Sequence, residues 1–208
     1  MQVDFWEKRY SEEEFAYGTS PNLFFKEYLK GKVPGKLLLS AEGEGRNAVY
    51  AASLGWEVFA FDQSEAGKKK ALKLADEHGV KINYEISKLE DFTSLTADFD
   101  LIALIYVHVP PAIRPSFHNK LVHLLKPEGR ILLEAFNKKQ IKNKSGGPKQ
   151  SELLYNGNML AYDFQGLDTM SFENATIQLN EGPFHQGSAD VIRMIGIAKQ
   201  QNDDFRMK

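Results

Sequence analysis

Gly43, Gly45 and Asp62 are spaced as a nucleotide-holding turn requires. In the segment Glu42-Gly43-Glu44-Gly45-Arg46-Asn47-Ala48 the glycines let the backbone approach a ligand closely. A helix opening there offers unpaired N–H groups, and an acid about twenty residues on accepts both hydroxyls of a ribose. The chemistry implied is the holding of an adenosine-containing cofactor. Gly43-x-Gly45-x-x-Ala48 also matches the dinucleotide fingerprint, so NAD or NADP is one cofactor that fits, and a tight βα turn without any ligand is the plain structural alternative.

The elements that position these residues are legible in Lys36 to Asp62. Leu37 to Leu39 is a short continuous apolar run, as in a strand buried on both faces of a parallel sheet. A helix carrying Ala48, Val49, Ala51, Ala52 and Leu54 toward the sheet ends at Gly55, and Trp56 to Phe61 returns as the second strand. Asp62 then falls at the carboxyl end of that strand, where an open α/β sheet has its ligand crevice. Ser64 caps a helix through Ala71, Leu72, Leu74 and Ala75 to Gly79, with Lys68, Lys69 and Lys70 on a solvated face. Strands are expected over 80–86 and 99–106. A helix follows with Ile113, Phe117, Leu121 and Leu124 inward, and a Lys126 to Gly129 turn leads into a strand over 130–136. This is a doubly wound, mostly parallel α/β sheet.

After Phe136 the alternation breaks. A basic loop with five lysines and a Gly-Gly-Pro is a candidate for binding a substrate anion, and a helix is expected from Ser151. Segments 172–179 and 189–198 read as an antiparallel hairpin closing the sheet, and 201–208 as a polar, frayed end. Ahead of the first core strand, residues 1–35 are rich in aromatics. Ser20-Pro21 enters a helix there, burying Leu23, Phe24 and Leu29, and Tyr10 or Tyr17 could face a cation and exclude water as part of a lid. Near the crevice, Tyr106, His108 and Arg114 follow the fourth strand, and His108 has the ordinary pKa of a general base. Glu134, inside an apolar strand, needs a partner or a role in the site.

With 208 residues, 42% of them hydrophobic, the chain has the size of one domain, with 1–35 as a helical lid segment, 36–136 as cofactor-binding core and 137–200 as the substrate-side loop, helix and hairpin. A formal charge of −2 argues against a nucleic-acid or anionic-membrane surface and for a small-molecule partner. There is no cysteine, hence no disulfide or thiolate chemistry, and no histidine and carboxylate spacing suggests a metal site. Without a signal segment or an apolar run of spanning length, a cytoplasmic protein is expected. The sequence sets no oligomeric state.

Taken in order, the aromatic N-terminal segment, the EGEGRNA turn, Asp62, the FDLI strand, the LLKPEGRILLEAF turn and the closing hairpin resemble class I S-adenosylmethionine-dependent methyltransferases along essentially the whole chain. The WEKRY start, the GEGRN turn and the His185 hairpin are similar, more narrowly, to the tellurite-resistance methyltransferases and their bacterial relatives. The resemblance implies S-adenosylmethionine as cofactor and S-adenosylhomocysteine as product. It places Ala41, Glu42, Gly43 and Gly45 at the methionine end and Asp62 at the ribose, with Gln63 and Ser64 beside it. Lys88 and Leu89 fall at adenine and Ile105 under the sulfonium, with Tyr17 in the covering segment. On the acceptor side it implies His185; the arginine that follows it in that family is Gln186 here, and Arg193 in the last strand either replaces the lost charge or pairs with an acid. The family commonly has an acid at Leu39, a glycine at Ala41 and an acid at Lys88. These departures motivate a third alternative, a cofactor-binding protein without turnover, beside the methyltransferase and the NAD-dependent oxidoreductase. The 35 residues ahead of the first strand and the short remainder after the sheet favour enclosure of one small cofactor over a two-domain dehydrogenase.

Overall fold

The computed structural model describes residues 3–93 and 96–200, so the tail expected over 201–208 lies outside the described residues. The elements are α1 (Val3–Tyr10), α2 (Leu23–Leu29), β1 (Lys36–Ser40), α3 (Arg46–Ser53), β2 (Glu57–Asp62), α4 (Glu65–Glu77), β3 (Asn83–Ile86), β4 (Phe99–Ile105), α5 (Arg114–His123), β5 (Leu125–Phe136), α6 (Gly157–Asp163), β6 (Thr169–Asn180) and β7 (Gln186–Ile197). Seven strands form one sheet in the order β3-β2-β1-β4-β5-β7-β6. Strands β1 to β5 pair in parallel, and β7 joins β5 antiparallel with β6 outside it. Strand order reverses between β1 and β4, so the ligand crevice of such a sheet belongs at their carboxyl ends.

Strand alternation divides the core between the two faces of the sheet. Leu38, Ile102 and Leu104 pack with Phe61, Phe99 and Phe117 on one face; Leu37, Leu39, Leu101 and Ala103 pack with Phe25, Ala48 and Ala71 on the other. Both faces are covered by helices, which is why Leu37–Leu39 in β1 and Leu101–Ile105 in β4 are apolar without interruption.

Several local expectations are corrected. Asn22, not Ser20, caps α2, its side chain accepting from the Phe25 N–H at 2.9 Å. That start turns Phe25 and Leu29 inward and leaves Leu23 65% exposed. Leu54 and Leu72 also face outward. Lys70 is not merely solvated: its ammonium donates to Glu44 and to the Glu14 carbonyl, both at 2.8 Å. The Lys126 to Gly129 turn is an irregularity within β5, where pairing jumps from Phe99–Leu125 to Leu101–Arg130 and Glu128 takes φ 61°. Ser151–Leu153 makes only a 3₁₀ turn, and α6 begins after Asn156, whose side chain caps it.

Candidate active site

A cavity of about 700 Å³ opens at the carboxyl ends of β1, β2 and β4, and its walls come from seven regions of the chain. The turn after β1 gives Ala41 and Glu42, with Arg46 and Asn47 from α3; β2 and its loop give Phe61, Asp62 and Gln63. Ser87, Leu89 and Glu90 follow β3, and Ile105, Tyr106 and His108 end β4. The N-terminal segment adds Trp6, Arg9, Tyr10 and Tyr17, while the lysine loop and the hairpin turn add Lys144, Gly146, Gly147, Phe184 and His185. Ligand cavities of about 300 to 1,000 Å³ hold drug-sized molecules, so this one has room for a nucleoside cofactor beside a small acceptor.

Asp62 is 5% exposed and held by its own loop, Oδ2 accepting from the Gly43 N–H at 3.1 Å and Oδ1 from the Ser64 N–H at 2.9 Å. Each oxygen keeps a lone pair for a ribose hydroxyl, so the acid fits the group the sequence implies. Burial raises its pKa to about 6, with the Ser64 and Gly43 N–H groups opposing the rise. Glu42 directs Oε1 at the first N–H groups of α3, those of Asn47 and Ala48, at 2.9 and 2.8 Å. It caps the helix, and burial pushes it up to about 7. Ala41 adopts φ 49°, a left-handed conformation that glycine enters without strain. This accounts for the glycine common at that position in the resembling family.

Of the residues singled out from sequence, Tyr17, Ala41, Glu42, Asp62, Gln63, Leu89, Ile105, His108 and His185 line the cavity. Gly43, Gly45, Ser64, Lys88 and Arg193 do not. At Gly43 a Cβ would fall 2.6 Å from the Tyr10 hydroxyl, and at Gly45 2.5 Å from Ala71 Cβ, so both glycines serve packing of the turn against α1 and α4. The Ser64 hydroxyl caps α4 by accepting from the Gly67 N–H, and it donates to Glu7 of α1 at 2.6 Å. Lys88 is exposed. Arg193 donates to Glu134 at 2.6 Å and lies over the Phe24 ring, which explains the acid inside the β5 strand. Asn22 donates to the other Glu134 oxygen at 2.7 Å. Arg114 pairs with Asp163 at 2.6 Å, away from the cavity.

The two cavity histidines differ in what their nitrogens do. His108 is tied twice: Nδ1 donates to the Leu153 carbonyl at 2.7 Å, which leaves Nε2 to accept the Phe136 N–H at 3.4 Å. Burial lowers its pKa to about 4, so it is a neutral, committed wall residue and not the expected base. Among the described residues His185 bonds through Nδ1 alone, 3.1 Å from Glu181 Oε2. Glu181 in turn accepts from Arg46 Nη2 at 2.9 Å. Sequence reasoning passed over Glu181 and Arg9, although Glu181 four residues before His185 was a visible signal. Arg9 lies over the Phe5 and Phe184 rings, 4.6 and 4.0 Å from their centroids, and donates to the Tyr17 hydroxyl at 2.9 Å, joining α1 to the hairpin turn.

Comparison with known proteins matches this architecture to one family, described as a methyltransferase domain, over residues 38–129. Those residues are similar to a methyltransferase domain. Three solved structures show how far the methyltransferase fold extends along the chain. One, described by the conversion of a disulfide bond into a thioacetal group during echinomycin biosynthesis, is 14% identical with a TM-score of 0.78, covering 97% of this chain and 91% of that one. TehB from Haemophilus influenzae is 16% identical with a TM-score of 0.70, covering 95% of this chain and 67% of that one. A SAM-dependent methyltransferase from Methanosarcina mazei is 13% identical with a TM-score of 0.63, covering 88% of this chain and 100% of that one. At these identities the likeness is one of fold. No curated protein matches the chain.

Proposed function

We propose that this enzyme transfers the methyl group of S-adenosylmethionine to a small-molecule acceptor, an oxyanion or a soft nucleophile, as a single cytoplasmic catalytic domain. One observation carries the reading: a single cavity has Asp62 and Leu89 in one part of its wall and His185 with the lysine loop in another. In this reading Asp62 accepts from the ribose, Leu89 packs on adenine and Ile105 lies under the sulfonium. Ala41 and Glu42 stand by the methionine end, with the remaining N–H groups of the α3 turn. A sulfonium methyl is already activated when the cofactor is bound. The protein therefore orients the acceptor in line and keeps water out, a task for Trp6, Tyr10 and Tyr17 above and Tyr106 and Phe136 beside.

The solved structure concerned with converting a disulfide into a thioacetal involves chemistry at sulfur, which favours the soft-nucleophile branch for this chain. Lys144 and Lys149 at the cavity rim support an anionic group elsewhere on the acceptor. Thermal-shift titration with S-adenosylmethionine, S-adenosylhomocysteine, NAD and NADP tests the cofactor. Stabilisation by the first two is expected, and stabilisation by the nicotinamides alone would return the site to an oxidoreductase.

A further inference from the structure

Building on the methyl-transfer reading, we infer that the acceptor arrives as a protonated nucleophile, an O–H, S–H or N–H on a small apolar or aromatic body, and that His185, positioned by Glu181 and Arg46, takes its proton. A carboxylate only accepts hydrogen bonds, so the His185 nitrogen facing Glu181 at 3.1 Å carries the ring proton. Nε2 is then the basic nitrogen, and it has no partner among the described residues, although His185 is 5% exposed and lines the cavity. Glu181 cannot swing away easily: Arg46 Nη2 holds it at 2.9 Å and Asn22 Nδ2 at 3.4 Å, while Arg46 Nη1 donates to the Tyr17 carbonyl at 3.1 Å.

The surroundings of this corner select against a bare inorganic oxyanion. Rings of Tyr17, Tyr106 and Phe136 stand 4.4, 4.7 and 5.4 Å from the imidazole, centroid to centroid. Gly146 closes the wall so tightly that a Cβ there would fall 2.7 Å from His185 Cδ2. The nearby guanidinium of Arg46 is already neutralised by Glu181, and that of Arg9 is covered by rings. An ionised acceptor would find an aromatic corner whose two nearest guanidiniums are already engaged, and it would leave the imidazole nothing to do. A protonated one finds a base.

The step balances. The X–H bond breaks as its proton passes to His185 Nε2, and the electron pair left on X forms the bond to the methyl carbon. The methyl–sulfur bond breaks with its pair on sulfur, turning the sulfonium into a neutral thioether, and the imidazolium, paired with Glu181, returns its proton to solvent. The groups facing His185 are Glu181, Arg46 from α3, Arg9 from α1, Tyr17, Tyr106 from the end of β4, and neutral His108.

The test uses the full chain with S-adenosylhomocysteine and 15N-labelled histidine. The expected spectrum at pH 7 gives His185 as the neutral Nδ1–H tautomer; an Nε2–H tautomer or an imidazolium there overturns the proposal. In turnover with S-adenosylmethionine, His185→Gln loses about a hundredfold or more in kcat on phenol, and under about tenfold on thiophenol, which is more readily ionised. Glu181→Gln lowers kcat and moves the acid limb of the phenol pH profile to lower pH, because the imidazolium loses its counter-charge, and Glu181→Asp restores part of both. Methylation confined to selenite and indifferent to His185→Gln would overturn the acceptor class. A chain that binds no S-adenosylhomocysteine would instead refute the parent reading.

Discussion

His108 and His185 line the same cavity, yet the fold uses them in opposite ways. His108 sits where β4 ends, and both of its nitrogens are consumed by backbone groups of Leu153 and Phe136. His185 hangs in the hairpin turn with one nitrogen on a carboxylate and the other without a partner among the described residues. Residue type and proximity to the crevice are therefore poor guides to a base. What separates a wall from a catalyst is whether a nitrogen remains to accept a proton, and a carboxylate behind the ring leaves one while two backbone partners do not.

Substitutions sharpen this contrast. His185→Gln has the largest expected effect on turnover, about a hundredfold or more in kcat on an acceptor that must lose a proton, with cofactor affinity little changed. His108→Leu has the reverse profile. It orphans a buried carbonyl and a buried N–H and costs roughly 1 to 3 kcal/mol of stability by denaturant titration, while kcat stays within about tenfold. Equal losses of activity in the two variants would erase the distinction.

Smaller effects come from the cofactor side. Glu42 has a folded pKa of about 7, raised above its unfolded value by burial. Its contribution to the stability of the free protein is full below its unfolded pKa and is lost as pH rises through about 7. Relative to Glu42→Gln, the wild type should therefore lose melting temperature as pH rises from about 4.5 to about 7 and level off above that; a parallel pH dependence would show that the carboxyl is not buried as described. Ala41→Gly relieves the left-handed strain at φ 49°, and a gain of up to about 1 kcal/mol is expected in denaturant titration of the free protein.

The sheet was legible because its signals are local. The apolar runs at 37–39 and 101–105, the glycines after β1 and the position of Asp62 are all set by short-range spacing, and the strand order follows from βα alternation. Contacts that decide roles cross long stretches of chain. Glu181 meets Arg46 across 135 residues, His108 meets Leu153 across 45, and Arg193 finds Glu134 across 59, so no periodicity announces them. The same reason explains Gly43 and Gly45. The sequence marks them as close-approach positions, but only the packed structure shows that Tyr10 and Ala71 come close.

The central claim is that the Asp62 crevice seats the nucleoside of S-adenosylmethionine. It is tested most directly by calorimetric titration of S-adenosylhomocysteine into the wild type and Asp62→Ala across pH 5 to 8. One site is expected, with wild-type affinity falling as pH drops through about 6, where the carboxyl becomes protonated. The variant should bind more weakly by about 1 to 3 kcal/mol and lose that pH dependence. Equal affinity of the two proteins across the range would contradict the account.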